Sequence, residues 1–331
     1  MAVLEHEPAT IATARARSGA DEHPDRRIRP SGTDVGASLA WYPHGRRDPT
    51  TRLERHGRGV ASGGTFVRAT LTPEGPGTVL VRWGASGRLD VETWGPGGAW
   101  LEASVPDLVG AHDPGAPELA RDTHPVVAAT CRAASALRHG RSSTLYHELL
   151  PTIIEQRITG IEAKRQWGRL CEALGDPAPG PFADLRLPPR PEVLSRQPSW
   201  WFHPLGIERS RARPLIEVAR HASKLWGWAD LPPVEAGAKL RLIGGIGVWT
   251  VGCVLGPALG DTDAVPVGDY HVKNVIGWNL AREARATDDR MLELLEPYAG
   301  QRGRVVRAVS THGDGAPKFG PRQRILPMSR W

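Results

Sequence analysis

The chain has 331 residues, with 42 Lys and Arg against 36 Asp and Glu and a formal net charge of +6. This length exceeds what one ordinary hydrophobic core serves, so we expect two domains and a tail. The excess charge is confined to residues 141–331, which hold 26 basic and 20 acidic side chains, whereas residues 1–140 hold 16 of each. The three cysteines are widely spaced, which argues against a disulfide framework and excludes an iron–sulfur cluster or zinc site held by four cysteines.

The two ends of the chain are predicted to lie outside the folded part. Residues 1–38 contain no aromatic residue and are rich in charged and small residues, which predicts a disordered tail. Residues 313–331 have no periodic pattern and predict a basic tail, suited either to a polyanion or simply to solvent. Because no secretion signal or membrane-spanning apolar run is present, we expect a soluble, cytoplasmic protein with no membrane partner.

Residues 39–112 have the pattern of a small antiparallel β domain. The runs 65–71, 78–83 and 88–94 alternate in polarity and are separated by Gly- and Pro-rich turns, which predicts a meander. Strand periodicity puts Val79, Val81 and Trp83 on one face, with Leu80 and Arg82 on the other. A base-stacking platform is the alternative use of the tryptophans here, but they fit a core better. They are Trp41, Trp83, Trp94 and Trp100.

Residues 113–312 have helical periodicity, so the predicted fold class is α+β, with the helical domain the larger part. Leu145, Leu149 and Ile153 mark one helix, and Thr159 followed by Glu162 has the form of a capping box that opens the next. A later helix carries an arginine row, which we interpret mainly as a solvated face. The row is Arg209, Arg211, Arg213 and Arg220.

The segment 242–273 carries the strongest functional signal. Residues 243–247 form a glycine-rich hairpin between two predicted helices, where backbone amides of Gly245 and Gly247 can approach a phosphate without a side chain in the way. Asp269 follows at the start of a third helix. A plain interhelical turn and a simple N-cap are the structural alternatives for these two features.

These residues resemble the helix-hairpin-helix DNA glycosylases, most closely the 3-methyladenine DNA glycosylase II branch. Residues 243–251 are similar to the family hairpin, 266–273 to its catalytic segment, and 154–159 to the turn that contributes the minor-groove wedge. The resemblance covers about residues 145–310, and the β meander matches in kind the N-terminal domain of that branch.

The resemblance implies a set of DNA contacts and one ion site. DNA contacts fall on Gly245, Gly247, Thr250 and Lys273, with the wedge at Gln156 and Arg157. An exposed helix lysine is an equally good interpretation of Lys273. A structural monovalent cation would be bound by backbone carbonyls, and no other cofactor is expected. Those carbonyls belong to Arg241, Ile243 and Ile246.

Asp269 is the predicted catalytic residue, because a carboxylate can stabilise the oxocarbenium-like sugar and activate water. Asp261 and Asp263 are interpreted as turn residues. Trp249 stands where strand-cutting relatives carry a lysine nucleophile, which predicts a monofunctional enzyme without AP-lyase activity.

Trp249 and Tyr270 are the predicted walls of the base pocket, while Trp200 and Trp201 fit the core better. Three positions depart from the family pattern. The wedge residue is Arg157 rather than apolar, and two pocket aromatics fall at Cys253 and near Ser310.

The sequence therefore predicts a monomeric, nucleoid-associated glycosylase that flips alkylated purines, chiefly 3-methyladenine, out of double-stranded DNA during base excision repair. Two alternatives remain open. One is the same fold acting on deaminated or mismatched bases. The other is a non-catalytic DNA-binding or damage-sensing protein.

Overall fold

The computed structural model describes residues 32–86, 88–121 and 124–317. Of the predicted tails at 1–38 and 313–331, the parts at 1–31 and 318–331 lie outside these residues. None of the helices in these ranges is long and apolar enough to cross a membrane.

A four-stranded antiparallel sheet with strand order β1-β2-β3-β4 forms the first part of the fold. The strands are β1 (Thr51–His56), β2 (Gly63–Thr72), β3 (Gly75–Trp83) and β4 (Leu89–Trp94). The predicted meander is confirmed for β2 to β4, whereas β1 was not recognised because its outer half is charged and exposed at the sheet edge. The predicted face of Val79, Val81 and Trp83 is also confirmed, since all three are buried in one core and Leu80 lies in another.

The fold begins before the predicted boundary at residue 39, so the predicted disorder is wrong for residues 32–38. Helix α1 (Val35–Leu39) packs Val35 and Leu39 fully into the core on one face of the sheet. Asp34 caps the helix through the Ala37 N–H and forms an ion pair with Arg55. Helix α1 is a single buried turn, too short to change the average composition of the polar segment 1–38. The composition of that segment therefore did not predict the helix.

Twelve further α-helices follow the first within the described residues. Those that cover the sheet and begin the helical part are α2 (Gly98–Leu108), α3 (Pro125–Ala133), α4 (Leu145–Glu155), α5 (Gly160–Leu174) and α6 (Pro191–Leu194). The central group is α7 (Arg209–Arg220), α8 (Ala222–Trp228), α9 (Pro233–Leu240) and α10 (Val248–Leu259). The last group is α11 (Val272–Ala281), α12 (Asp288–Leu295) and α13 (Arg302–His312).

Helix α4 lies at the centre of the molecule, and every residue from Leu145 to Ile154 is buried. Its apolar side joins the main core with the second face of the sheet. Its polar side carries Glu148, which pairs with Arg68 of β2 at 2.5 Å, both side chains being almost fully buried. The sheet and the helical domain therefore share one interior, and α4 is the element that connects them.

Helix α5 begins as predicted, with the Thr159 hydroxyl accepting from the Glu162 N–H, and it ends before Gly175. A separate core lies between α3 and α11 to α13.

The tryptophans divide between core and surface. The core interpretation is confirmed for Trp83, which is buried, and for Trp94 and Trp100, which pack against the cores. Trp201 also packs against the main core. Trp200 is 73% exposed, so the core interpretation is wrong for that residue. It lies in a 3₁₀ turn (Ser199–Leu205), where adjacent side chains face different directions.

Candidate active site and DNA interface

The glycine-rich hairpin connects α9 to α10 and depends on Gly245. Gly245 has φ +88°, in the left-handed region that favours glycine, and an added Cβ would lie 2.2 Å from Pro214 Cγ of α7. Gly247 is different. It is the extended N-cap of α10, it is exposed, and an added Cβ there would meet no atom within 4 Å. The first glycine shapes the hairpin, and the second leaves the space in front of the helix open.

The N-terminus of α10 has the properties of an anion site. No side chain caps this helix of 12 residues, so the N–H groups of its first turn lack the usual side-chain acceptor. The helix dipole adds partial positive charge at the same point. Gly247 exposes these N–H groups to solvent, which is the arrangement needed for a backbone phosphate.

Gln156 links the predicted wedge turn to the hairpin. Its Nε2 donates to the Gly245 carbonyl at 3.1 Å and to the Thr250 hydroxyl at 2.9 Å. Thr250 is only 1% exposed, and its hydroxyl faces the interior of the protein. The side chain turns inward to meet Gln156, and the predicted DNA contact of Thr250 stays a prediction. The predicted DNA contact of Gln156 stays a prediction.

Arg157, the next residue, forms the tip of the turn. It is exposed and has φ +60°, a conformation that a non-glycine residue adopts at a cost of about 1 kcal/mol or more. Such strain persists only where surrounding contacts enforce it. One of these contacts is the buried Arg211 of α7, which donates to the Ile154 carbonyl at 3.1 Å.

Arg211 is a buried residue beside the predicted wedge turn that the sequence interpretation missed. It is 3% exposed, whereas Arg209, Arg213 and Arg220 are exposed as predicted. Its guanidinium also donates to Gln166 Oε1 and to the Gly206 carbonyl. The signal was its position four residues before Leu215, which puts it on the apolar stripe of α7 rather than on the outer face.

Asp269 is held in one orientation by three N–H donors. Its Oδ1 accepts from the N–H groups of His271 at 2.7 Å and Val272 at 3.0 Å, which caps the turn leading into α11. Its Oδ2 accepts from Trp249 Nε1 at 3.1 Å. Trp249 lies in the first turn of α10, so this hydrogen bond connects the carboxylate to the helix end that can hold a phosphate.

The surroundings of Asp269 supply the candidate pocket walls. Trp249 is half-buried, while Tyr270 is 74% exposed and packs edge-on against His271. Cys253 lies one turn beyond Trp249 on the same helix face. Burial raises the pKa of its thiol well above the usual value, and the carboxylates of Asp269 and Glu155 add to this effect. The thiol therefore stays protonated and acts as a neutral wall.

Lys273 is engaged within the protein. Its ammonium lies 3.0 Å from Asp288 Oδ2, and Asp288 Oδ1 accepts from the Gly268 N–H at 2.8 Å. Partial burial opposes ionisation of Asp288, but these two hydrogen bonds outweigh it and lower its pKa. Asp288, which the sequence interpretation did not single out, thus fixes the backbone just before Asp269. The phosphate contact of Lys273 stays a prediction.

Asp261 and Asp263 serve the loop, as predicted. Asp261 accepts from the Asp263 N–H at 2.9 Å, and Asp263 accepts from the backbone and side chain of Arg302.

The hairpin carbonyls fit a cation. Within the described residues, no donor reaches the carbonyl oxygens of Arg241 and Ile246, while the Ile243 carbonyl accepts only from the Ile246 N–H at 3.0 Å. Free carbonyl oxygens are the ligands that hard cations prefer.

Comparison with known proteins shows similarity in structure but not in sequence. The sequence matches no protein-family model and no curated protein. Its structure is similar to the 3-methyladenine DNA glycosylase from Archaeoglobus fulgidus, with a TM-score of 0.69 and 18% identity, covering 86% of this chain and 96% of that one. It is also similar to the Clostridium acetobutylicum 8-oxoguanine glycosylase/lyase in complex with double-stranded DNA, with a TM-score of 0.63 and 15% identity, covering 84% and 90%. The chain therefore has the same α+β fold as these two glycosylases.

Proposed function

We propose that this protein is a DNA glycosylase that hydrolyses the N-glycosidic bond of a damaged base, with Asp269 as its catalytic residue. The observation that carries the proposal is the hydrogen bond from Trp249 Nε1 to Asp269 Oδ2. It joins an uncapped helix N-terminus, suited to a phosphate, to an oriented carboxylate.

The reaction follows from this arrangement. The N–H groups at Gly247 and in the first turn of α10 bind a backbone phosphate, which fixes the position of the DNA without reading its sequence. The target nucleotide leaves the stack, and Arg157 occupies the space from the minor groove. As the glycosidic bond breaks, positive charge develops on the sugar. The Asp269 carboxylate stabilises that charge and orients or deprotonates the attacking water.

Two features complete the proposal. The carbonyls of Arg241, Ile243 and Ile246 would hold a monovalent cation, which would add positive charge beside the bound phosphate. Trp249 cannot form a Schiff base, so the enzyme releases the base and leaves the abasic strand uncut. Borohydride treatment during turnover is therefore expected to trap no covalent protein–DNA complex.

We propose alkylated purines, chiefly 3-methyladenine, as the substrates. These bases are cationic and electron-poor, so they stack well on aromatic rings such as Trp249 and Tyr270. The Asp269 carboxylate beside Trp249 would also attract a cationic base. The protein would act as a monomer on chromosomal DNA in the cytoplasm.

The test is base release from methylated duplex DNA by the wild type and by Asp269→Asn. Asparagine caps a helix as well as aspartate does, so we expect the variant to keep its fold and its DNA binding while it loses the charge and the Oδ2 acceptor of the Trp249 hydrogen bond. The control is Asp289→Asn, an exposed residue in the first turn of α12. Full release by Asp269→Asn would exclude the proposed role of that residue.

A panel of lesion duplexes decides the substrate class. An oxidised purine is the second candidate, because the fold is shared with an 8-oxoguanine glycosylase/lyase. Deaminated and mismatched bases belong in the same panel. A non-catalytic damage-binding protein would instead show salt-dependent duplex binding and release no base from any member.

A further inference from the structure

A large basic groove lies outside the site described above. It has a volume of about 1010 Å³ and three walls, formed by residues 44–52, helix α5 and residues 183–186. Seven of the side chains lining it are cationic and three are acidic. The cations are Arg46, Arg47, Arg52, Lys164, Arg165, Arg169 and Arg186, and the acids are Asp48, Glu172 and Asp184.

The acidic side chains leave most of this positive charge uncompensated. Asp48 is 7% exposed, and its carboxylate is occupied by the N–H groups of His44 and Thr50. Asp184 is paired with Arg52. Across the part of the chain that the structure describes, five groove cations have no acidic side chain within ion-pair distance. They are Arg46, Arg47, Lys164, Arg169 and Arg186.

The walls of the groove are tied to one another. Asp48 also accepts from Trp167 Nε1 of α5 at 3.3 Å, which anchors the loop that carries Arg46 and Arg47. The Lys164 side chain lies against Gly45, where an added Cβ would come within 2.8 Å of its Cδ. The Arg186 N–H donates to the Pro49 carbonyl at 2.7 Å. The cations are thus presented on a fixed frame rather than on a free loop.

The groove opens beside the wedge turn. His44, at its edge, lies 3.6 Å from the carboxylate of Glu155, the last residue of α4 and the neighbour of Gln156. Ile161 and Lys164, in the first turns of α5, line the groove directly after the turn. From Ile161 to Glu172 the helix extends about 16 Å at 1.5 Å per residue. One DNA strand presents about five phosphates over that length.

We infer that this groove binds the sugar–phosphate backbone of the same DNA duplex beyond the base pairs held at the hairpin, as a second, sequence-independent contact. The inference rests on the proposed function in taking duplex DNA as the partner. The groove would be a second DNA contact, separate from the hairpin and from Asp269. The groove contributes affinity for long duplexes, and the chemistry at the damaged base is independent of it.

The experiment measures dissociation constants for undamaged duplexes by fluorescence anisotropy, with a short duplex that covers only the hairpin and wedge and a long one that extends to both sides. The test variant is Arg46→Ala/Arg47→Ala. The control is Arg58→Ala/Arg88→Ala, which removes the same charge from two exposed arginines in the turns of the sheet. Both pairs lie on the surface, and thermal unfolding verifies that each variant keeps its fold.

The test variant is expected to bind the long duplex about tenfold more weakly, with the slope of log affinity against log salt reduced by about 1.8 for two lost phosphate contacts. Binding of the short duplex and base release from it stay at the wild-type level, and the control stays at wild-type level throughout. Equal losses on both duplexes, or a loss no larger than that of the control, would overturn the inference. A loss confined to single-stranded DNA or RNA would also overturn it. Because binding is measured on undamaged DNA, an absence of base release would refute the proposed function without deciding this one.

Discussion

Polar residues lie at both ends of helix α4, but they are buried at its beginning and exposed at its end. At its beginning, Glu148 is buried against Arg68, and His147 lies between the hydroxyls of Thr50 and Thr70. At its end, Gln156 holds the hairpin from a partly exposed position, and Arg157 projects into solvent with a strained backbone. Polar groups satisfied within the interior fix how the sheet and helices pack, whereas those left at the surface remain able to bind DNA.

The buried end is expected to show the largest effect on stability. Arg68→Met leaves Glu148 buried without its ion-pair partner, so we expect the free energy of unfolding to fall by about 3–5 kcal/mol. Chemical denaturation measures this change. The matched control is Arg82→Met on the adjacent strand, whose ion pair with Glu92 is about half exposed, and its expected cost is below about 1 kcal/mol. Similar losses of unfolding free energy in the two variants would show that burial does not determine how much each ion pair stabilises the protein.

A second test of buried polar groups uses pH. His139 is 4% exposed and neither ring nitrogen has a partner among the described residues. Burial, reinforced by Arg304 and Arg307, lowers its pKa from 6.5 to about 3. The unfolded chain therefore binds the proton more readily, and stability falls as the pH decreases from 6.5 toward 3. At pH 5 the loss is about 2 kcal/mol from this group.

Denaturation at pH 7 and pH 5 checks the sign and size of that effect. In His139→Leu, the difference between the two pH values should shrink by about 2 kcal/mol relative to the wild type. His147 also has a pKa lowered by burial, but it titrates in both proteins and cancels from the comparison. An unchanged difference would mean that His139 is accessible to protons in the folded state.

The open end is tested by Gly247→Ala. The added methyl meets no protein atom within 4 Å and the backbone there is extended, so the unfolding free energy should change little. The methyl would occupy the space in front of the α10 N–H groups, and we expect affinity for duplex DNA to fall about tenfold, or about 1.4 kcal/mol. Gly244→Ala is the control, because it adds the same methyl to the same hairpin without contacts. Equal affinities for the two variants would contradict a phosphate at Gly247.

The sequence predicted those parts of the site that depend on residues close together in the chain, and it missed those that depend on distant residues. The hairpin and Asp269 lie within one short segment, where spacing alone indicates a cradle and a capping carboxylate. Asp288 contributes from the next helix, and Arg211 reaches the wedge turn from α7. The inward direction of the Thr250 side chain depends on Gln156, which is distant in sequence. The partners of these side chains come from distant parts of the chain and depend on tertiary packing, which periodicity does not encode.

Substitutions of Arg157 are expected to change the unfolding free energy least, and they separate stability from DNA binding most clearly. Glycine adopts φ +60° without steric cost, so Arg157→Gly relieves strain, although it also increases the entropy of the unfolded chain. The net gain in unfolding free energy should be at most about 1 kcal/mol. Base release from duplex DNA should nevertheless decrease, because glycine cannot fill the gap left by the flipped nucleotide.

Arg157→Asn separates the two contributions, since asparagine tolerates the left-handed conformation and keeps a side chain too short to insert. If Arg157 is the wedge, both variants should match the wild type in stability to within about 1 kcal/mol, and both should lose base release from duplex DNA. Their activity on a single-stranded substrate, where no stack has to be opened, should be affected less. Equal losses on duplex and single strand would mean that Arg157 acts on the chemistry or on general DNA binding. In that case the strain at the tip of the turn would have to serve a purpose other than holding the helix open.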